Sequence, residues 1–72
     1  MPAYPYYVTT QQDAALMDRT CPVLLERWRA AKARRQASAN LDEKMERFKP
    51  LSRVFHELQS AFAAAKQIQQ AA

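Results

Sequence analysis

The fold is decided by residues 41–70, which read LDEKMERFKPLSRVFHELQSAFAAAKQIQQ. Apolar side chains recur in this stretch every three or four residues, the spacing that places them on one face of an α-helix. This stripe consists of Leu41, Met45, Phe48, Leu51, Phe55, Leu58, Phe62, Ala65 and Ile68. A stripe of this length predicts a long amphipathic helix that another helix, or another chain, must cover.

Pro50 interrupts the stripe. A proline inside a helix removes one backbone hydrogen bond, and its ring clashes with the preceding turn. The proline requires either a kink or a break. We favour a break near residues 48–49 and predict two helices, over 41–48 and 50–70. Because the stripe keeps its phase across the proline, both helices should face the same core.

Two further helices are predicted upstream. Thr10 and Asp13 have the spacing of a capping box, which predicts a short helix over 11–19. Pro22 is tolerated in a first helical turn and predicts a second helix over 22–38. The apolar stripe of the second helix consists of Leu24, Leu25, Trp28 and Ala31.

The first nine residues differ in composition from the rest. Prolines hold the segment 1–9 in extended geometry, so we predict an extended arm. Its Tyr4, Tyr6 and Tyr7 either lie over the chain's own helices or offer an aromatic surface to a partner. The predicted fold is a single all-α domain over residues 1–72, a small helical hairpin with an N-terminal arm.

The composition argues against several kinds of chemistry. The chain has no glycine, and phosphate-binding loops, dinucleotide-binding turns and the serine nucleophile elbow all depend on glycine. Cys21 and His56 are the only thiol and the only imidazole, too few for an internal disulfide or a structural zinc site. We expect a non-enzymatic protein with no catalytic residue, no metal and no cofactor.

The longest apolar run, Ala61–Ala65, is far shorter than the roughly 20 residues of a membrane span. The N-terminal residues lack the pattern of a secretory signal. We therefore expect a soluble, cytoplasmic protein that does not enter a membrane.

The length of 72 residues indicates a homodimer. Domains this small rarely bury enough apolar surface without a disulfide, a metal or a partner. The second helix also offers fewer apolar positions than the long stripe. We predict that the dimer is built on the long stripe, with Phe55, Leu58 and Phe62 near its centre. The residues expected to form the core or the dimer contacts are Trp28, Phe48, Leu51, Phe55, Leu58 and Phe62.

The charge distribution suggests where a partner binds. Lys and Arg number 11 against 7 Asp and Glu, and the predicted second helix accounts for the whole excess. Arginine and tyrosine are enriched at binding hot spots. We therefore expect an acidic partner protein to contact Arg27, Arg29, Arg34, Tyr4, Tyr6 and Tyr7.

In size and composition the chain is similar to the small helical regulators, inhibitors and adaptors of bacteria, phages and plasmids. The expected function is accordingly binding to a partner protein as a regulator, inhibitor or adaptor. The alternative is a small basic nucleic-acid-binding protein that acts through the helix over 22–38.

Overall fold

A computed structural model describes residues 3–71. It contains three helices, α1 (Gln11–Thr20), α2 (Pro22–Gln36) and α3 (Leu41–Ala71). The described part of the chain contains no strand, so the all-α prediction is confirmed. Residues 1, 2 and 72, which belong to the predicted domain, lie outside the described residues.

Side-chain caps start two of the helices, and the cap of α1 is the one that the spacing of Thr10 and Asp13 predicted. The N–H of Asp13 donates to Thr10 Oγ1 at 3.0 Å at the start of α1. The N–H of Glu43 donates to Asn40 Oδ1 at 2.9 Å at the start of α3. Each bond satisfies a donor that the first helical turn leaves free, and so defines where the helix begins.

The long helix α3 is continuous through Pro50. The predicted break near residues 48–49, and with it the separate helices over 41–48 and 50–70, is therefore wrong. Pro50 and Glu46 are both exposed residues, so the missing N–H of the proline falls on the outer side of the helix and not in the core.

Contacts with α2 on both sides of the proline hold the helix together. Before Pro50, an Arg47 Nη1 donates to the Arg34 carbonyl at 2.7 Å. After it, Leu51 and Phe55 lie beside Trp28. Tertiary packing thus opposes the local preference of proline to end the helix.

The helix α3 is the spine of the molecule. At 1.5 Å per residue its 31 residues extend about 46 Å, close to the longest dimension of 47 Å. The C-terminal end of α2 lies beside the first half of α3, so the two form an antiparallel hairpin. The helix α1 lies beside the second half, where Lys66 Nζ is 3.5 Å from Asp13 Oδ1. Within residues 3–71, no helix combines the length and apolar character that a membrane crossing requires.

The hydrophobic core lies where all three helices meet. Its buried members are Leu16, Met17, Cys21, Leu25, Trp28, Val54, Leu58 and Phe62. Val54 is not on the predicted stripe of α3, and it is buried because α2 packs along that side of the helix. The apolar face of α3 is therefore wider than its spacing alone indicated.

The tertiary structure corrects the expected dimer centre. Leu58 is 0% exposed and Phe62 is 3% exposed, so neither is available to a second chain. They belong to the core, as does Trp28. Leu51 and Phe55 are half-buried, whereas Phe48 is exposed.

The described part of the arm folds back over the helices. The N–H of Val8 donates to the Pro5 carbonyl at 3.0 Å, which closes a turn at Tyr6 and Tyr7. The prediction of an extended arm is therefore wrong at this turn. Pro5 is buried, and of the two alternatives for the arm, packing on the chain's own helices is the one observed.

Candidate functional site

Three arginines form an exposed surface along one side of the hairpin. Arg27 and Arg34 lie two turns apart on α2, about 10.5 Å along its axis, and α3 adds Arg53 beside them. We call these three residues the arginine face. They border a shallow groove of about 330 Å³, whose other lining residues are Ala30, Ala31, Pro50, Val54 and Glu57.

The charges of the arginine face are not neutralised within the described chain. Among residues 3–71, no ion pair includes Arg27, Arg34 or Arg53. An arginine with a free planar fork suits paired hydrogen bonds to a carboxylate or a phosphate. Sequence reasoning identified Arg27 and Arg34 but missed Arg53, because only the packing of α3 against α2 brings it to this surface.

Arg29 does not belong to the arginine face. Its Nε donates to the Ala3 carbonyl at 2.9 Å, and its Nη1 donates to Glu26 Oε1 at 2.8 Å. Its guanidinium also lies 5.0 Å from the centroid of the Tyr4 ring. The structure therefore gives Arg29 a role in fastening the arm rather than in contacting a partner beside Arg27.

The hydroxyls of two of the three predicted partner-binding tyrosines make hydrogen bonds within the described chain, and the third tyrosine, Tyr6, stacks one face of its ring on Phe55 with the centroids 5.8 Å apart. The Tyr4 hydroxyl donates to Asp18 Oδ2 at 2.8 Å, and this hydrogen bond raises the pKa of Tyr4. The Tyr7 hydroxyl donates to the Phe55 carbonyl at 3.2 Å, and burial raises its pKa to about 12. Tyr6 is 77% exposed and is the one of the three whose side chain lies mostly open to a partner.

A second basic surface lies on the other side of α2. It is a groove of about 490 Å³ between α2 and the first half of α3, which we call the aromatic groove. Its cations are Lys32, Arg35 and Lys44. Its other lining residues are Trp28, Gln36, Phe48, Leu51, Ser52, Phe55 and His56.

Two of these cations lie over aromatic rings instead of beside carboxylates. Lys32 Nζ is 5.1 Å from the Trp28 ring centroid, and the Arg35 guanidinium carbon is 5.1 Å from the Phe48 ring centroid. No acidic residue is among the described residues that line the groove. The groove therefore offers apolar contact area and unpaired positive charge together, which favours an amphipathic, acidic ligand.

The sequence contained a signal for the aromatic groove. Trp28, Lys32 and Arg35 are spaced by four and three residues, which places them on one side of α2. Lys44 and Phe48 are four residues apart, which places them on one side of α3. What spacing could not show is that the two sets face each other across one depression.

The groups with catalytic or metal-binding potential lie apart. Cys21 is a buried free thiol beneath a depression that also includes Ala61 and Ala65, whereas His56 lines the aromatic groove. Within residues 3–71, no three His, Cys, Asp or Glu side chains lie close enough to hold a metal ion. The unpaired cations of the described surface are of a kind that could bind anions.

Comparison with models of known protein families, with curated proteins and with solved structures found no match for this chain. No residue role is therefore carried over from another protein. The function of this chain is inferred from the arginine face and the aromatic groove.

Proposed function

We propose that this chain is a small non-enzymatic interaction protein that binds the acidic surface of a partner protein. As a regulator, inhibitor or adaptor, it would use the arginine face as the contact. The observation that supports this most is the convergence of Arg27, Arg34 and Arg53 from two helices around a floor of small apolar residues. A carboxylate-bearing protein surface with an apolar centre complements that arrangement in both charge and polarity.

The floor of the groove favours a protein over a nucleic acid. Ala30, Ala31 and Val54 offer contact area to apolar side chains, which a phosphate backbone lacks. Glu57 borders the same groove and would repel phosphates. Nucleic-acid binding through α2 is the second candidate, because the helix accounts for the whole net charge of +4.

Single charge reversals on the arginine face test the proposal. The chain is immobilised and used to capture partners from nuclease-treated cells of its source organism, as wild type and as Arg27→Glu or Arg34→Glu. Each reversal should weaken binding of the captured protein by roughly fivefold or more, equivalent to about 1 kcal/mol. Arg19→Glu is the matched control, since Arg19 is exposed on α1 and the change in charge is the same.

Salt dependence separates the two candidates. If a nucleic acid is bound through the three arginines, log K should fall linearly with log salt with a slope of about −2.7, and each reversal should reduce that slope. A protein partner should give a shallower dependence that acts mainly on the association rate. Unchanged binding by Arg27→Glu and Arg34→Glu would contradict both candidates.

A further inference from the structure

The first turns of α3 display an apolar stripe that stays largely exposed, although the Arg35 guanidinium lies over the ring of Phe48. Leu41, Met45 and Phe48 are 71%, 63% and 49% exposed. Their spacing of four and three residues places them on one side of the helix. Asp42 and Glu46 lie next to the stripe. Residues 41–48 contain three acidic and two basic side chains, a net charge of −1, and form an amphipathic helix with carboxylates along one border of the stripe, which we call the acidic segment.

Glu43 and Arg47 of this segment form an ion pair with each other, whereas the carboxylates of Asp42 and Glu46 are weakly engaged within the chain. Glu46 contacts Lys49 at 3.9 Å, and both side chains are about three-quarters exposed. Among residues 3–71, no ion pair includes Asp42. Exposed pairs of this kind contribute little to stability, so the segment can exchange them for contacts with a partner.

The neighbouring aromatic groove has the opposite character. Its floor contains Trp28, Leu51 and Phe55, and unpaired Lys32 and Arg35 border it. On α3 the lining residues span 44–56, about 18 Å of helix axis, which corresponds to roughly three helical turns. An amphipathic helix with apolar anchors four and three residues apart fits a groove of this length.

We propose that the aromatic groove of one copy binds the acidic segment of a second copy, so that the chain forms a two-fold symmetric dimer. In such an interface each copy contributes one groove and one segment, and both contacts form together. Leu41 and Met45 would cover the aromatic floor, while Asp42 and Glu46 would meet Lys32 and Arg35. The arginine face lies on the other side of α2 and stays free for the partner protein proposed above.

This location differs from the dimer centre that the stripe predicted, because Leu58 and Phe62 are buried within one copy. The exposed apolar residues of the proposed contact lie at the end of α3 that is remote from α1. Self-pairing would cover them and would also supply carboxylates to cations that have none.

Sedimentation equilibrium of the full chain tests the proposal. We expect a reversible mass of twice the 8.3 kDa chain that decreases on dilution. Met45→Glu should abolish the dimer, because it introduces a charge into the proposed contact. Ile68→Glu is the matched control, since Ile68 is 73% exposed on the far end of the same helix, and it should leave the dimer intact. Circular dichroism establishes that both variants remain helical.

A charge exchange provides the sharper test. One variant carries Lys32→Glu with Arg35→Glu, so that its groove and its segment are both acidic. The other carries Asp42→Lys with Glu46→Lys, so that both of its surfaces are basic. Each variant alone should be monomeric, and an equal mixture should form a heterodimer. Trp28 is the only tryptophan and lines the groove, so its fluorescence should change when the two are mixed.

Three results would overturn self-pairing. These are a wild-type chain that stays monomeric from micromolar to millimolar concentration, a mixture of helical variants that does not associate, and an Ile68→Glu variant as disruptive as Met45→Glu. A monomer whose Trp28 fluorescence responds to an acidic amphipathic peptide would assign the groove to a foreign helix instead. Capture through the arginine face is measured separately, so failure of one proposal leaves the other standing.

Discussion

At the scale of single residues, Tyr7 shows how burial changes a side chain whose type suggests binding. Its ring centroid lies 5.3 Å from that of Phe55 and 6.1 Å from that of Phe62. Its hydroxyl donates to the Phe55 carbonyl. A tyrosine held in this way stabilises the arm against α3, and the hydrogen bond of its hydroxyl requires the proton.

The raised pKa of Tyr7 predicts a loss of stability at high pH. Its pKa is 10.0 in the unfolded chain and about 12 in the folded protein, so folding favours the protonated form. The contribution is complete below pH 10 and is lost as the pH rises from 10 through 12. Urea unfolding at a series of pH values should show the free energy of unfolding falling across that window.

Two conservative variants isolate the effect of this hydroxyl. Tyr7→Phe keeps the ring and removes the titrating group, so the fall in stability across the window should become smaller. Tyr6→Phe changes an exposed tyrosine and should leave the fall as in the wild type. An identical pH dependence in Tyr7→Phe and the wild type would show that another group is responsible.

At the scale of elements, α2 contributes to the core, to the arginine face and to the aromatic groove. Leu25 and Trp28 face the core, Arg27 and Arg34 form most of the arginine face, and Lys32 borders the aromatic groove. A 15-residue helix can serve these roles because its side chains project in all directions around the axis. The positive charge of α2 is thus divided between the arginine face and the aromatic groove.

The continuity of α3 predicts that replacing its proline stabilises the protein. Pro50→Ala restores a backbone donor and removes the ring clash, which should raise the free energy of unfolding by up to about 3 kcal/mol. Urea unfolding monitored by circular dichroism measures the change. Pro22→Ala is the control, because a proline in the first turn of α2 costs little. A loss of stability in Pro50→Ala would mean that the helix depends on its proline.

At the scale of the whole molecule, stability rests on a small core. For 72 residues, typical domain stabilities correspond to roughly 4 to 11 kcal/mol. Leu58→Ala removes a side chain that is 0% exposed and should cost about 2 to 5 kcal/mol. Thermal and urea unfolding should therefore show that the Leu58→Ala variant keeps only a small free energy of unfolding.

An exposed position on the same helix provides the comparison. Ile68→Ala changes a side chain that is 73% exposed and should alter stability by no more than about 0.5 kcal/mol. Similar losses in Leu58→Ala and Ile68→Ala would contradict the division between core and surface described above. If the chain dimerises, both values are compared at one protein concentration, because association contributes to stability.

Local sequence was sufficient for the features that depend on neighbouring residues. Thr10 and Asn40 start helices because each is followed three residues later by the N–H that its side chain caps. The spacing of apolar residues in 41–70 predicted an all-α fold and placed Leu58 and Phe62 on the apolar face of the long helix, although it assigned them to a dimer centre instead of the core. These features follow from contacts within one or two helical turns, which a sequence displays directly.

Features that depend on distant segments required the tertiary structure. Pro50 remains inside α3 because α2 packs against the helix on both sides of the proline. Helix propensity describes neighbouring residues only and does not include contacts with another helix. Arg29 contacts the arm through the Ala3 carbonyl. Arg53 of α3 lies beside Arg27 of α2 because the two helices pack against each other. The same reason explains the aromatic groove: spacing placed its side chains on one side of each helix, and only the association of α2 with α3 brought the two sides together.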